Sequence, residues 1–131
     1  MHMDLADLCI APESSIQQAI ACIDQNGQGI ALVADSERRL LGTITDGDVR
    51  RAILADLDLD LPVQRLLDQK AQISRSVPLT TPVGTPEPEL LHLMNQHVLR
   101  HIPLVDPEGR VEDVALLSDL VKGYELPMAA V

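Results

Sequence analysis

The chain has 131 residues, with 20 Asp and Glu against 10 Lys and Arg, a formal net charge of −10, no Phe or Trp and one Tyr. That length supports one compact domain or two very small repeats, and a multidomain enzyme does not fit within it. Such a charge repels a phosphate backbone and an anionic membrane surface alike, so neither nucleic acid nor membrane is a partner to expect.

In chain order, a short strand is expected around Leu8-Cys9-Ile10. An amphipathic helix follows, carried by Ile16, Ala19, Ile20 and Ile23 at helical spacing. A buried strand over 30–34, a polar turn (Asp35-Ser36-Glu37-Arg38) and a second strand over 40–44 make a hairpin, and a closing helix runs from about Gly47 to Leu57. Asp56-Leu57-Asp58-Leu59-Asp60-Leu61-Pro62 reads as a solvated linker, because its sixth position is Leu61 and its twelfth Leu67, where a calcium loop needs Gly and Glu. Pro62 can open a short helix over Val63–Leu67.

The same order then returns. A strand near Val77-Pro78-Leu79 precedes a helix marked by Leu90, Leu91, Met94 and Val98, strands over 101–105 and 111–115, and a helix from about Ser118 to Gly123. The repeat holds register without a gap: His101-Ile102-Pro103-Leu104-Val105-Asp106 lies 71 positions after Ile30-Ala31-Leu32-Val33-Ala34-Asp35, and Asp119 lies 71 after Asp48. Neither half buries enough apolar surface alone, so the two are expected to pack sheet against sheet as one folding unit. The fold class is α/β (α+β), with two β-α-β-β-α repeats related by a pseudo-two-fold axis. The expected boundaries are repeat 1 at 8–57, a linker with a short helix at 58–76, repeat 2 at 77–123 and a tail at 124–131.

Chemistry concentrates where the first hairpin enters its closing helix, Leu41-Gly42-Thr43-Ile44-Thr45-Asp46-Gly47-Asp48-Val49-Arg50-Arg51. Thr45 as N-cap would leave amides at Asp46, Gly47 and Asp48 at the positive end of the helix dipole, a place for a phosphate oxygen. Asp48 can accept hydrogen bonds from both hydroxyls of a ribose. The competing reading is structural: Thr45 and Asp48 cap the helix, and Asp48 pairs with Arg51.

A small residue, an apolar one, Thr, two variable residues and Asp, closing a repeat of this shape, resembles the nucleotide signature of CBS domains. The resemblance spans roughly Leu8 to Leu120. It implies a phosphate at Thr45, a ribose at Asp48, and adenine beside Ile10, Ile30 and Ala31, with Asp46, Gly47 and Arg50 as further ligand positions. The ligand implied is ATP, ADP or AMP. In the second half the small residue is Asp113 and the threonine is Leu116, leaving Asp119 as the remnant of a weak second site.

No catalytic residues and no metal site are expected. His92, His97 and His101 are not spaced to converge, and the chain has no P-loop, GxGxxG, GxSxG or HExxH. Cys9 and Cys22 read as packing residues, and without a signal peptide or membrane span a cytoplasmic setting is expected. The run Gly42–Leu54, followed by Leu59–Val63, resembles the pair that precedes sugar-phosphate nucleotidyltransferase domains. Leu126–Val131 would then begin a covalently linked catalytic domain. A sugar-phosphate isomerase of the arabinose-5-phosphate type is the second host, and a ligand-free dimerisation scaffold the third reading. The resemblance also implies a homodimer formed through the helices.

Overall fold

The computed structural model describes residues 5–74 and 79–121. The chain divides into two compact units, the first within residues 3–78 and the second within 79–131. The class is mixed α/β, with a three-stranded sheet in each unit.

In the first unit, a 3₁₀ turn (Leu5–Asp7) leads into β1 (Cys9–Ile10), then α1 (Ile16–Asn26), β2 (Ile30–Ala34), β3 (Leu40–Thr45), α2 (Asp46–Leu54) and α3 (Gln64–Ser74). β1 lies parallel to β2, and β2 antiparallel to β3. Helix α1 begins where Ser15 Oγ accepts the Gln18 amide at 3.0 Å while Gln18 Oε1 accepts the Ser15 amide at 2.8 Å, a reciprocal cap that satisfies two otherwise orphaned donors. It ends at Gly27, whose φ of 67° is the left-handed conformation glycine adopts without a Cβ penalty.

Ile16, Ala19 and Ile23 of α1 bury against Ala31, Val33 and Ile44 of the sheet, with Ala52 and the later Val63 and Leu66 closing the same core. The expected apolar stripe also ran through Ile20, which is only half-buried, and it stopped short of Asn26, which is buried. Asn26 holds its place by bonding: Nδ2 donates to the Ile30 carbonyl at 3.0 Å and to the Asp7 carbonyl at 3.3 Å, and Oδ1 accepts the Gln28 amide at 2.7 Å.

The Asp-Leu alternation at 56–61 is not the solvated linker expected. Leu57, Leu59 and Leu61 pack on the first core. The Leu59 and Leu61 carbonyls accept the Gln17 and Ile16 amides at 3.0 and 2.9 Å. Along a segment of turns, closed by the Leu61 amide on the Asp58 carbonyl at 3.1 Å, the leucines are half-buried and the aspartates exposed. The helix after Pro62 is also longer than expected, running to Ser74 rather than ending at Leu67.

The second unit repeats the plan: β4 (Thr81–Pro82), α4 (Glu87–His97), β5 (His101–Val105), β6 (Val111–Leu116) and α5 (Leu117–Val121), with β4 parallel and β6 antiparallel to β5. Of the expected leading strand, Val77 and Pro78 lie outside the described residues, and pairing begins at Thr81. Gly123 and the tail from 124 lie outside them too. Leu90, Met94, Ile102, Ala115 and Leu120 form its core. Val98 does not join them. It caps α4 in the left-handed region at φ 54° and is 90% exposed.

The register of the repeat persists in fine detail. Each hairpin carries a bulge at the matching step, Val33/Ala34 and Leu104/Val105, which leaves Leu41 and Glu112 as the extra residues. Each turn is tied by an aspartate. Asp35 Oδ1 accepts the Glu37 and Arg39 amides, and Asp106 Oδ1 the Glu108 and Arg110 amides, all at 2.8–2.9 Å. The left-handed turn position is Gly109 in one and Arg38 in the other.

Candidate functional site

β3 delivers Thr45 to the start of α2 with extended backbone (φ −110°, ψ 170°). The Thr45 hydroxyl donates to Asp48 Oδ2 at 3.0 Å and accepts the Asp48 amide at 3.4 Å, and the Thr45 amide donates to the same Oδ2 at 2.9 Å. The predicted pair therefore meets, and it meets as a capping box. The Asp46 amide donates to the Gly29 carbonyl at 3.2 Å, so two of the three amides expected to face a ligand are engaged within the chain. Gly47 supplies the remaining one.

Asp48 is 6% exposed, and its carboxylate gathers cations. Arg51 donates to Oδ1 at 2.7 Å, and Lys70 of α3 reaches Oδ2 at 2.9 Å while donating to the Thr43 carbonyl at 2.8 Å. Burial by itself would raise this carboxyl's pKa. The hydrogen bonds from Lys70, Thr45 and Arg51 and the Lys70 charge outweigh it and hold the group below its ordinary value. The carboxylate is thus ionised, with three donors on Oδ2 and one on Oδ1.

Lys70 went unread in the sequence, although it is one of only two lysines in the chain. Its partner Thr43 lies 27 residues away, beyond the reach of any spacing argument. Gly42 lets α3 come close: a Cβ there would lie 2.5 Å from Leu67 Cδ2.

The expected adenine positions divide by face. Ala31 is fully buried in the core under α1, with Ile10 packed against it. Ile30 is buried on the alternate side of β2, so Ala31 has only its main chain to offer a ligand beside Ile30. Arg50 is exposed on α2.

At the second corner, Leu116 is buried where Thr45 would stand, and the Leu117 amide donates to the Arg100 carbonyl at 2.9 Å, the counterpart of the Asp46–Gly29 bond. The Asp113 carboxylate accepts its neighbour's amide, from Val114, at 2.8 Å. Asp119 sits in the first turn of the five-residue α5.

His92 and His97 lie on α4 and His101 on β5. Among the described residues, no three His, Cys, Asp or Glu side chains gather to hold a metal ion, and no helix is long and apolar enough to cross a membrane. Cys9 and Cys22 are free thiols whose pKa values burial pushes up.

The family model for the CBS domain matches residues 4–55 and again 71–125. Among curated proteins, inosine-5'-monophosphate dehydrogenase of Aquifex aeolicus is 24% identical over 97% of this chain and 24% of its own length. That of Staphylococcus saprophyticus is 30% identical over 92% of this chain and 23% of its own length. The chain thus spans about a quarter of the dehydrogenases it matches. Among solved structures, a CBS domain protein from Pyrobaculum aerophilum complexed with AMP superposes with a TM-score of 0.70 at 21% identity, covering 86% of this chain and 81% of that one. The CBS domains of a transcriptional regulator from Streptococcus pneumoniae give 0.72 at 13% identity, with 93% of each chain covered.

Proposed function

Because this chain belongs to the CBS domain family, as a tandem pair of repeats, we propose that it senses an adenine nucleotide at the Thr45–Asp48 corner and passes the signal to a catalytic partner. The two matched segments take up most of the 131 residues, which are a regulatory module rather than an enzyme.

One observation carries the ligand assignment. A threonine hydroxyl and an aspartate meet at the mouth of α2, in a fold shared with a CBS protein that was solved with AMP. Phosphate oxygens would take the Thr45 hydroxyl and Gly47 amide, the ribose hydroxyls Asp48, and the base the Ile30–Ala31 main chain beside Ile10. Asp46 and the exposed Arg50 of α2 are the further ligand positions of this reading. Leu116 gives the second corner no hydroxyl, so Asp119 anchors at most a weak site. Binding at one corner biases the conformation that the partner feels, which is linkage.

Two hosts draw support. The resemblance of the Gly42–Leu54 run supports a sugar-phosphate nucleotidyltransferase, with the isomerase, whose pair carries a similar segment, behind it, and the curated relatives favour inosine-5'-monophosphate dehydrogenase. The parent coding sequence separates them. A cytoplasmic setting agrees with the free thiols. Exposed Ile53 and Leu54 on α2, and Val98 at the end of α4, support a homodimer through the helices.

Thermal shift and calorimetry with ATP, ADP and AMP test the reading. Ligand at about 100 times its Kd stabilises by about 2.7 kcal/mol, and Asp48→Asn removes the effect. No shift with any of the three, in folded protein, favours the ligand-free scaffold, a reading supported by the four donors already on Asp48.

A further inference from the structure

Helix α3 lies between the two repeats in sequence, and two contacts fasten it to the nucleotide corner. Leu67 sits over Gly42, and Lys70 bridges the Thr43 carbonyl and Asp48 Oδ2. Arg51, the other cation on Asp48, belongs to α2 itself and is 69% exposed, so its departure moves nothing but its own side chain. Lys70 differs. Its ammonium is held at 2.8 and 2.9 Å by two oxygens, and its backbone belongs to another element.

Asp48 Oδ2 already accepts from the Thr45 amide, the Thr45 hydroxyl and Lys70. A carboxylate oxygen has about two lone-pair directions, so one ribose hydroxyl finds room on Oδ1, which accepts from Arg51, and the other reaches Oδ2 only by displacing a donor. The Thr45 hydroxyl can turn its one proton to the phosphate while its oxygen still caps the helix, but the Thr45 amide is part of that cap and cannot leave. The lysine, with its side chain 38% exposed, can.

We infer that α3 is a clasp on the site: Lys70 fastens it to Asp48, and a nucleotide that takes Asp48 with its ribose hydroxyls unfastens it. The inference rests on the nucleotide reading for its ligand and on the ion pair for its mechanism. Capture and release are then one linked equilibrium. The segment leading to the second repeat loosens when the first corner fills, and fastening lowers the affinity of that corner. The affinity cost belongs in the usual range for coupled sites, roughly 5- to 150-fold.

The test combines AMP calorimetry with amide exchange of residues 64–74 in the wild type, Lys70→Met, Lys70→Arg and Asp48→Asn. Methionine keeps the apolar stem and removes the charge. Lys70→Met is expected to bind AMP about tenfold more tightly and to exchange its α3 amides about tenfold faster without ligand, with α1 amides unchanged. Asp48→Asn should speed α3 equally while losing AMP, Lys70→Arg should restore protection, and AMP should speed α3 exchange in the wild type. Weaker AMP binding by Lys70→Met makes Lys70 a ligand contact and overturns the clasp. So does α3 exchange indifferent to both substitutions. If no adenine nucleotide binds any variant, the nucleotide reading falls by itself, and the exchange rates still decide whether Lys70 and Asp48 fasten the helix.

Discussion

Replacing Gly42 by alanine probes the contact that seats α3 on β3. The added Cβ would lie 2.5 Å from Leu67 Cδ2, 3.1 Å from Cδ1 and 3.3 Å from Cγ. Because the branch carbon is crowded along with both methyls, rotating the end of the leucine does not clear the clash, and α3 itself must back away. Overpacking of this kind costs about 1–3 kcal/mol. Relief of the glycine penalty in a strand returns roughly 0.5 kcal/mol, and the half-buried Leu67 yields more readily than a core residue would. The net is a loss of about 1–2 kcal/mol, or roughly 4–7 °C in Tm for a chain of this size. Urea denaturation of Gly42→Ala, Leu67→Ala and the double variant gives the coupling between them. The alanine at 42 should turn neutral or mildly stabilising once Leu67 is shortened. A single Gly42→Ala variant as stable as the wild type refutes the close approach, and so does a double variant whose losses simply add.

Arg38 holds a left-handed turn position (φ 67°) that Gly109 fills in the second hairpin. Arg38→Gly should therefore stabilise by about 0.5–1 kcal/mol, the left-handed strain relieved exceeding the entropy that glycine adds to the unfolded chain, as read from the urea midpoint. Asp48 is held below its ordinary value of 3.8 in the folded chain. Its stabilisation is complete above the unfolded pKa and is lost as pH falls below about 4 towards the folded value. Comparing urea midpoints at about pH 6 and about pH 3, the wild type should lose more stability than Asp48→Asn, and equal losses would remove the depressed carboxyl from the account.

Where the sequence was legible, local rules and tertiary packing agreed. The strands at 30–34 and 101–105 are apolar runs closed by an aspartate that folds the turn behind it, and both begin and end where expected. The meeting of Thr45 and Asp48 could be read because the partners of a capping box stand only three positions apart. The segment from 56 to 74 could not. Its aspartates mimic a solvated linker, while its leucines find partners on α1 and β3 that no local pattern reveals. Val98 went wrong for the opposite reason: it fits the helical period, yet the chain turns left-handed there and carries it outward.

The two copies of the plan are not finished alike. Helix α1 has a reciprocal cap and a glycine stop, and the buried Asn26 ties its end to the neighbouring loops. Its counterpart α4 starts at Pro86 without a side-chain cap and stops on a β-branched valine in a conformation that suits glycine, and exposed His97 stands where Asn26 would be. Missing caps and strained ends lower the cost of local opening. Thermal agitation or a protease should therefore breach residues 87–121 while residues 16–54 are still protected, so the molecule comes apart from its C-terminal copy first.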